Sequence, residues 1–179
     1  CTPDEEYADC LYQVGALKAF CEANGLKLQH VKPHGAMYNQ AAKDPALAKA
    51  IAQAVKDAGE DIILMGLANS GFEKAAKELG VPFAAEAFAD RGYMPDGSLV
   101  PRSQPGAIIH DVDAAAKRVV RMVTEGTVEA VDGTVVSFRP QSICMHGDTP
   151  EAVEMAKAVR AALEAAGVKV TNLKEVVLG

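Results

Sequence analysis

The segment Glu86–Ala107, with the sequence EAFADRGYMPDGSLVPRSQPGA, concentrates side chains that could carry out acid–base chemistry on an anion. Glu86 lies inside an apolar run, where an unpaired carboxylate is costly, so it needs a partner or a chemical role. Asp90 and Arg91 follow it, and Arg102 stands between a proline and a serine. Carboxylates can act as bases and arginines can hold anions with two hydrogen bonds, so the segment predicts one wall of a small-anion site.

Polar side chains also follow the other predicted strands, at the point where each strand ends. Ligands of parallel α/β folds bind beyond the carboxyl ends of the strands, so we expect these side chains to converge. A turn at Pro95–Gly97 is predicted to bring Arg102 back toward Asp90 and Arg91. The predicted catalytic residues are His34, Glu86, Asp90 and His146. The predicted substrate-binding residues are Lys32, Tyr38, Asn39, Arg91, Arg102 and Asp148.

Several of these residues have a structural alternative. Asp148 could cap the helix that follows it, and Asp90 with Arg91 could form an ion pair within the loop. Asn69–Ser70 could equally be a helix cap. The remaining histidines, His30 and His110, are not accompanied by other reactive side chains and are expected to be structural.

The elements that must position these residues alternate between helices and strands, which predicts a mainly parallel sheet in a single domain over residues 1–179. Caps mark two helices: Thr2 with Pro3 begins the first, and Asp44 with Pro45 begins the second. Asp132-Gly133 predicts a hairpin turn. The predicted strands are LKLQHV, DIILMGL, VPFAAEAF, QSICMHG and VKVTNL, and the other predicted helices are SGFEKAAKELG, DVDAAAKRVVRMVTEG and DTPEAVEMAKAVRAALEAAG.

The composition is that of a globular protein and excludes several function classes. The chain has 179 residues, 49% of them hydrophobic and 23% charged, and no apolar run approaches the 18 residues of a membrane span. A net charge of −6 and the lack of a basic patch argue against a nucleic-acid partner. The four cysteines form no CxxC pair, which favours reduced, buried thiols in a cytoplasmic protein. No P-loop, HExxH, GxSxG or GxGxxG motif is present.

Three long blocks of the chain resemble the LamB/YcsF family. They are HVKPHGAMYN, EAFADRGYMPDGSLVPRSQPGA and SICMHGDTPEAV, and they occur in the order found in that family. The resemblance covers nearly all of the chain but begins roughly a third of the way into the family pattern. It therefore implies an irregular (β/α) barrel, similar to polysaccharide deacetylases and glycoside hydrolases, whose N-terminal strands are missing from this chain.

The same resemblance implies ATP-dependent ring opening of 5-oxo-L-proline to L-glutamate, in a complex with B and C subunits. A five-membered lactam is a stable amide, and phosphorylation of its oxygen by ATP would prepare the carbonyl for attack by water. In this interpretation Arg91, Arg102 and Lys32 bind the substrate carboxylate or a phosphate. A base for the water comes from Glu86, Asp90, His34 or His146. Asp90 or Glu86 together with His34 is the favoured pair for proton transfer.

Two other functions are compatible with the residues. One is a metal-dependent amidohydrolase or deacetylase, in which His34, His146 and Asp148 would be ligands. The other is a non-catalytic binding subunit whose partners carry out the chemistry. Whether a metal is bound, and which subunit holds ATP, stay open at this point.

Overall fold

The computed structural model describes all 179 residues, Cys1–Gly179. The chain contacts divide it into two compact units. Unit 1 comprises Cys1–Ala85 with Lys174–Gly179, and unit 2 comprises Glu86–Leu173. The helices are α1 Pro3–Ala23, α2 Gly35–Ala41, α3 Pro45–Ala58, α4 Gly71–Leu79, α5 Val112–Thr124, α6 Ala152–Ala165 and α7 Leu173–Leu178. The strands are β1 His30–Val31, β2 Ile63–Leu67, β3 Phe83–Phe88, β4 Thr127–Glu129, β5 Val135–Ser137 and β6 Ser142–Cys144.

Four strands form one sheet in the order β1-β2-β3-β6. In unit 1, β1 pairs with β2 in parallel, with His30 opposite Ile63. In unit 2, the second half of β3 pairs with β6 in parallel, with Glu86 opposite Ser142 and Phe88 opposite Cys144. The α/β class with parallel pairing is therefore confirmed. The finer prediction of an irregular deacetylase-like barrel with missing N-terminal strands stays a prediction, as does the assignment of residues 1–179 to one domain.

The helices of unit 1 begin and end where local chemistry dictates. Thr2 and Glu5 form a reciprocal capping box at the start of α1, and the Asp44 carboxylate accepts hydrogen bonds from the Ala46 and Leu47 amides at the start of α3. Ser70 caps α4 by accepting from the Phe72 amide. Each such cap stabilises a helix by about 1 kcal/mol. Helix α3 packs between α1 and α4, and it buries an apolar face that includes Ile51 and Val55.

Unit 2 places two helices and a hairpin beside the β3–β6 pair. Helices α5 and α6 pack against each other around a core that includes Val119, Met155 and Val159. Strands β4 and β5 form the predicted antiparallel hairpin, whose turn is closed by a 3.0 Å hydrogen bond from the Thr134 amide to the Asp132 carboxylate. That hydrogen bond is also the largest cause of the lowered pKa of the Asp132 carboxyl group.

The structure corrects the predicted elements at four places. VKVTNL contains no strand, and helix α7 begins within it at Leu173. LKLQHV is strand only at its last two residues, His30–Val31, and helix α2 directly after it was not predicted. Asp148 does not cap α6, because that helix begins after Glu151 without any side-chain cap.

None of the helices combines the length and apolarity needed to cross a membrane.

Candidate functional site in unit 2

The strongest arrangement of reactive groups in unit 2 is the pair formed by Asp90 and His146. Asp90 follows β3 and His146 follows β6, so the parallel pairing of these two strands brings the residues together. The Asp90 Oδ2 atom lies 2.8 Å from His146 Nδ1 and also accepts the His146 backbone N–H at 2.9 Å. The Phe88 ring stacks on the imidazole, with 5.8 Å between ring centroids. One carboxylate oxygen therefore fixes both the main chain and the ring of His146.

Two atoms of the pair make no hydrogen bond to the protein. Asp90 is only 4% exposed, and its Oδ1 atom is buried without a hydrogen-bond partner in the protein. A buried acceptor without a partner is costly, which distinguishes Asp90 from an ordinary structural carboxylate. His146 is 19% exposed in its side chain, and its Nε2 atom makes no protein hydrogen bond. The side chain turns Nδ1 toward the Asp90 carboxylate, and a ring that donates Nδ1–H to that carboxylate keeps Nε2 for other contacts.

The predicted turn after β3 is confirmed. The Gly97 amide donates to the Met94 carbonyl at 2.9 Å, and Tyr93 pairs with Leu99 in an antiparallel bridge. The chain then returns so that Arg91 bridges to Ile108. These contacts bind both ends of the loop to the backbone around Asp90.

Arg91 has a different environment from the one expected of a substrate-binding residue. It is 7% exposed, and its guanidinium donates to the Ala107 carbonyl through Nε at 3.0 Å and to the Val100 carbonyl through an Nη atom at 2.6 Å. Burial lowers the pKa of Arg91, and the nearby charge of Arg102 lowers it further. Arg91 makes no ion pair with Asp90, whose carboxylate is engaged by His146, so the alternative of a loop ion pair is wrong. The contacts of Arg91 are those of a residue that holds the loop together.

Arg102 and Asp148 lie on the surface of unit 2. The Arg102 Nη1 atom is 3.8 Å from Asp148 Oδ2, and both side chains are more than half exposed. The positive charge of Arg102 contributes to the lowered pKa of Arg91. The approach of Arg102 to Asp90 stays a prediction. An exposed arginine in a loose ion pair can exchange its partner for an anionic ligand, because such a surface pair is worth at most about 1 kcal/mol.

Glu86 is buried at 1% exposure inside β3, as the sequence predicted for an apolar strand. It stands in register with Ser142 of β6. Asp90 lies beyond the carboxyl end of the strand, whereas Glu86 lies within it. A catalytic role for Glu86 stays a prediction.

The remaining predicted residues belong to unit 1. Tyr38 is buried against Phe72, with 5.6 Å between ring centroids, and the Lys32 ammonium lies 6.0 Å from the Tyr38 ring centroid. Asn39 donates to the Gly35 carbonyl within α2. His34 is exposed at the N-cap position of α2, where its side chain makes no capping bond. The convergence of these residues with Asp90 and His146, and the pairing of His34 with either carboxylate, stay predictions.

Two structural residues around Asp90 were not among the predicted site residues. Arg118 of α5 donates to the Arg91 carbonyl at 2.8 Å, and its guanidinium lies 5.2 Å from the centroid of the Tyr93 ring. The Tyr93 hydroxyl accepts the Phe88 amide at 2.9 Å. Burial raises the pKa of Tyr93 and lowers that of Arg118. The sequence signal was present, because Arg118 falls three residues after Ala115 and four before Met122, on the buried face of α5.

No group of three or more His, Cys, Asp or Glu side chains in the chain is arranged to hold a metal ion. The four cysteines are free thiols. The expectation that all of them are buried is wrong, because only Cys10 is buried and Cys1 is exposed. The suggestion that His34, His146 and Asp148 are metal ligands stays a prediction.

Comparison with known proteins identifies close relatives. The A subunit of 5-oxoprolinase from Oceanobacillus iheyensis is 52% identical over 169 residues, covering 94% of this chain and 66% of that protein. The corresponding 5-oxoprolinase protein of Pyrococcus horikoshii is 49% identical over 174 residues, covering 97% of this chain and 68% of that protein. The crystal structure of a lactam utilization protein from Thermus thermophilus matches with a TM-score of 0.86 at 49% identity, over 95% of this chain and 68% of that one.

The chain spans about two thirds of the length of these relatives. The names of the two 5-oxoprolinase proteins describe each of them as one member of a multi-subunit complex. The LamB/YcsF family itself matches over residues 1–178. With a match over that range and relatives about half identical in sequence, this chain belongs to the LamB/YcsF family.

Proposed function

We propose that this protein is the A component of an ATP-dependent 5-oxoprolinase, a hydrolase that opens 5-oxo-L-proline to L-glutamate together with B and C subunits. The names of relatives about half identical in sequence support the substrate and the complex. The observation within this chain that carries the proposal is the Asp90–His146 pair, in which a buried carboxylate holds the imidazole through Nδ1 and keeps a second oxygen without a protein partner. The proposal places the reaction in the cytoplasm, where free thiols remain reduced.

The reaction consists of breaking one C–N bond of a stable amide and adding water to its carbonyl carbon. ATP supplies activation of the lactam by phosphorylating the carbonyl oxygen, and the lack of a P-loop in this chain favours ATP binding by the partner subunits. The residues of this chain then act on water and on the departing nitrogen. Attack by one water and cleavage of the C–N bond leave the phosphoryl group on the new carboxyl group, and a second water hydrolyses this acyl phosphate. The balance is therefore 5-oxoproline, ATP and two water molecules to glutamate, ADP and phosphate.

His146 Nε2 is the general base in this proposal. It takes a proton from water as the oxygen attacks the carbonyl carbon, and it returns that proton to the ring nitrogen as the C–N bond breaks. Asp90 holds Nδ1–H through Oδ2, which selects the tautomer and stabilises the imidazolium that forms. The free Oδ1 of Asp90 accepts a hydrogen bond from the same water or from the lactam N–H. Arg102 binds the substrate carboxylate by exchanging its loose partner Asp148.

The test is glutamate release from 5-oxoproline and ATP by the protein combined with its two presumed partner subunits, with each component omitted in turn. Production only by the complete set, with ATP consumed in step, supports the proposal. Undiminished production without this protein would reduce it to an accessory. A metal-dependent amidohydrolase would instead act without ATP, lose activity in chelator and regain it with metal.

A further inference from the structure

We propose that Arg118 is a positioning residue. Together with Tyr93 it holds the main chain on both sides of Asp90 and so fixes the location of the Asp90 carboxylate. The inference deepens the proposed function, because it concerns the residue that orients the base. Arg118 touches neither Asp90 nor His146 through a side-chain hydrogen bond, and its contacts are with the main chain on both sides of Asp90.

A single guanidinium nitrogen of Arg118 faces three carbonyl groups. Its Nη1 atom lies 2.8 Å from the Arg91 oxygen, 3.4 Å from that of Phe88 and 3.5 Å from that of Ala89. The first distance is a good hydrogen bond and the other two are long, so the anchor is strongest directly after Asp90. Phe88 is the last residue of β3, and Ala89 and Arg91 follow it, so these carbonyls flank the point where the chain leaves the sheet.

Tyr93 completes the anchor from the other side of the same backbone. Its hydroxyl accepts the Phe88 N–H at 2.9 Å, and its ring lies under the Arg118 guanidinium at 5.2 Å. The Asp90 carbonyl accepts from the Ile109 amide at 2.9 Å, and the Ala89 amide donates to Cys144 of β6 at 3.0 Å. The main chain at Phe88–Arg91 is thus held at nearly every polar group, and Asp90 has little freedom to move.

Burying the charged guanidinium of Arg118 costs free energy, so its presence at this position calls for a role that an apolar residue could not fill. Burial lowers the pKa of Arg118, whereas the electrostatic attraction of Tyr93 and Asp90 acts in the opposite direction. An arginine donates in a fixed fork and stacks on an aromatic ring, and a lysine does neither. A purely apolar residue at this position of α5 could pack against the core but could not hold the three carbonyls. The arrangement therefore favours positioning over packing as the role of Arg118.

Arg121 provides a matched control on the same helix. It lies three residues further along α5 and contacts Glu125, Thr127 and Glu129 at the surface of unit 2. Its replacement removes an arginine from α5 without touching Phe88–Arg91.

The experiment compares Arg118→Met, Arg118→Lys and Arg121→Met in the complete three-subunit reaction and in the NMR spectrum of the protein alone. We expect Arg118→Met to lower kcat about 10- to 100-fold with KM changed less than about twofold, as is typical for a lost outer-shell partner. Arg118→Lys should fall between that variant and the wild type, and Arg121→Met should stay within about twofold of the wild type. A fourth variant, Arg118→Ala, tests the guanidinium itself, because added ethylguanidinium should occupy the space left by the arginine and restore part of the activity.

The NMR readout is the Nδ1–H proton of His146, assigned by its loss in His146→Gln. We expect it to be protected from exchange in the wild type and in Arg121→Met, and to be lost or shifted in Arg118→Met. Wild-type kcat together with an unchanged His146 signal in Arg118→Met would overturn the inference. If Arg118→Met does not fold, the same pair of results for Arg118→Lys would overturn it. If the wild-type complex produces no glutamate, the proposed function fails and the NMR comparison still decides the role of Arg118.

Discussion

Asp90 and His146 illustrate how two side chains acquire a chemical role only when their neighbours are known. The carboxylate uses one oxygen to hold the imidazole and leaves the other without a protein partner. The imidazole is engaged by Asp90 through Nδ1 while its face stacks on the Phe88 ring. Groups that work as a unit do not contribute independently to a rate.

The first prediction uses this non-additivity. We expect Asp90→Asn and His146→Gln each to lower kcat for glutamate release by about 10² to 10⁴-fold, because each removes the oriented base. The kcat of the double variant should lie within about threefold of the kcat of the slower single variant. His110→Gln is the matched control, since His110 is an exposed histidine of unit 2 that only approaches Glu151 at 3.9 Å. Multiplicative losses in the double variant would contradict a shared role.

A second prediction at this scale concerns Cys10. Burial is the largest cause that raises the pKa of this thiol to about 11 from an ordinary value of 9.0, and the Glu6 and Asp9 carboxylates add to the effect. Between about pH 9 and pH 11, the Cys10 thiol therefore keeps its proton in the folded state and loses it in the unfolded state. Stability from Cys10 is therefore present below about pH 9 and is lost as the pH rises to about 11.

Cys10→Ala should remove this loss of stability with rising pH. We expect the urea midpoint of the wild type to fall more steeply than that of Cys10→Ala between about pH 9 and 11, whatever the offset between the two curves. Cys21→Ala, which removes a half-buried thiol from the same helix, is the control for a lost cysteine. Parallel curves for wild type and Cys10→Ala across this range would show that Cys10 does not titrate as stated.

Among individual residues, the sequence indicated the type of chemistry but not which arginine is exposed. Arg91 and Arg102 stand in one loop and look equivalent in the sequence, yet one is held by two carbonyls and the other lies at the surface. The return of the loop was predicted from the turn at Pro95–Gly97, but which backbone carbonyls Arg91 would contact, Ala107 and Val100, was not. Asp90 and His146 were both expected at strand ends, and their pairing required the knowledge that β3 and β6 are neighbours.

At the scale of elements, the loop after β3 depends on a close approach of two backbone segments. A Cβ atom built on Gly92 would lie 2.1 Å from the Gly106 carbonyl oxygen, which real structures do not tolerate. The Gly92 amide donates to the Ala107 carbonyl, and the Val100 amide donates to the Gly92 carbonyl. Position 92 therefore requires glycine, because any side chain there would collide with the Gly106 backbone.

Gly92→Ala should be destabilising by about 1–3 kcal/mol, because the loop must shift to relieve the overlap. It should also lower kcat, because Asp90 lies two residues away. Gly15→Ala is the opposite control, since Gly15 lies inside α1 with nothing within 4 Å of its added Cβ. That substitution should stabilise the protein by about 0.5–1 kcal/mol. Urea unfolding of both variants measures the difference, and a Gly92→Ala protein as stable as the wild type would refute the close-approach argument.

Elements bounded by strong local signals could be predicted from the sequence, and elements that depend on distant partners could not. Caps at Thr2 and Asp44 located α1 and α3, and Asp132-Gly133 located the hairpin. The segment VKVTNL has the composition of a strand, but its backbone makes no sheet pairing and the chain enters α7 instead. Asp148 resembles a cap, yet the N-cap position of α6 is Glu151, three residues later, and the helix begins at Ala152.

At the scale of the whole molecule, the proposal divides the reaction between subunits. In that proposal the Asp90–His146 pair of this chain acts on water, whereas the partner subunits bind and use ATP. A complex that divides the steps in this way can be uncoupled by a change in one component. A binding subunit without catalytic groups could not produce that behaviour through a single buried carboxylate.

The last prediction is therefore that Asp90→Asn uncouples the complex. Glutamate release should fall by about 10² to 10⁴-fold, whereas ATP consumption should fall much less, because phosphorylation of the lactam does not use Asp90. The ratio of ADP to glutamate, measured in one reaction, should then rise well above one, while His110→Gln keeps the wild-type ratio. Size-exclusion chromatography of the variant complex verifies that the subunits still assemble. An unchanged ratio with both products reduced equally would place Asp90 in the ATP-dependent step or in assembly, and it would remove His146 from the role of base for water.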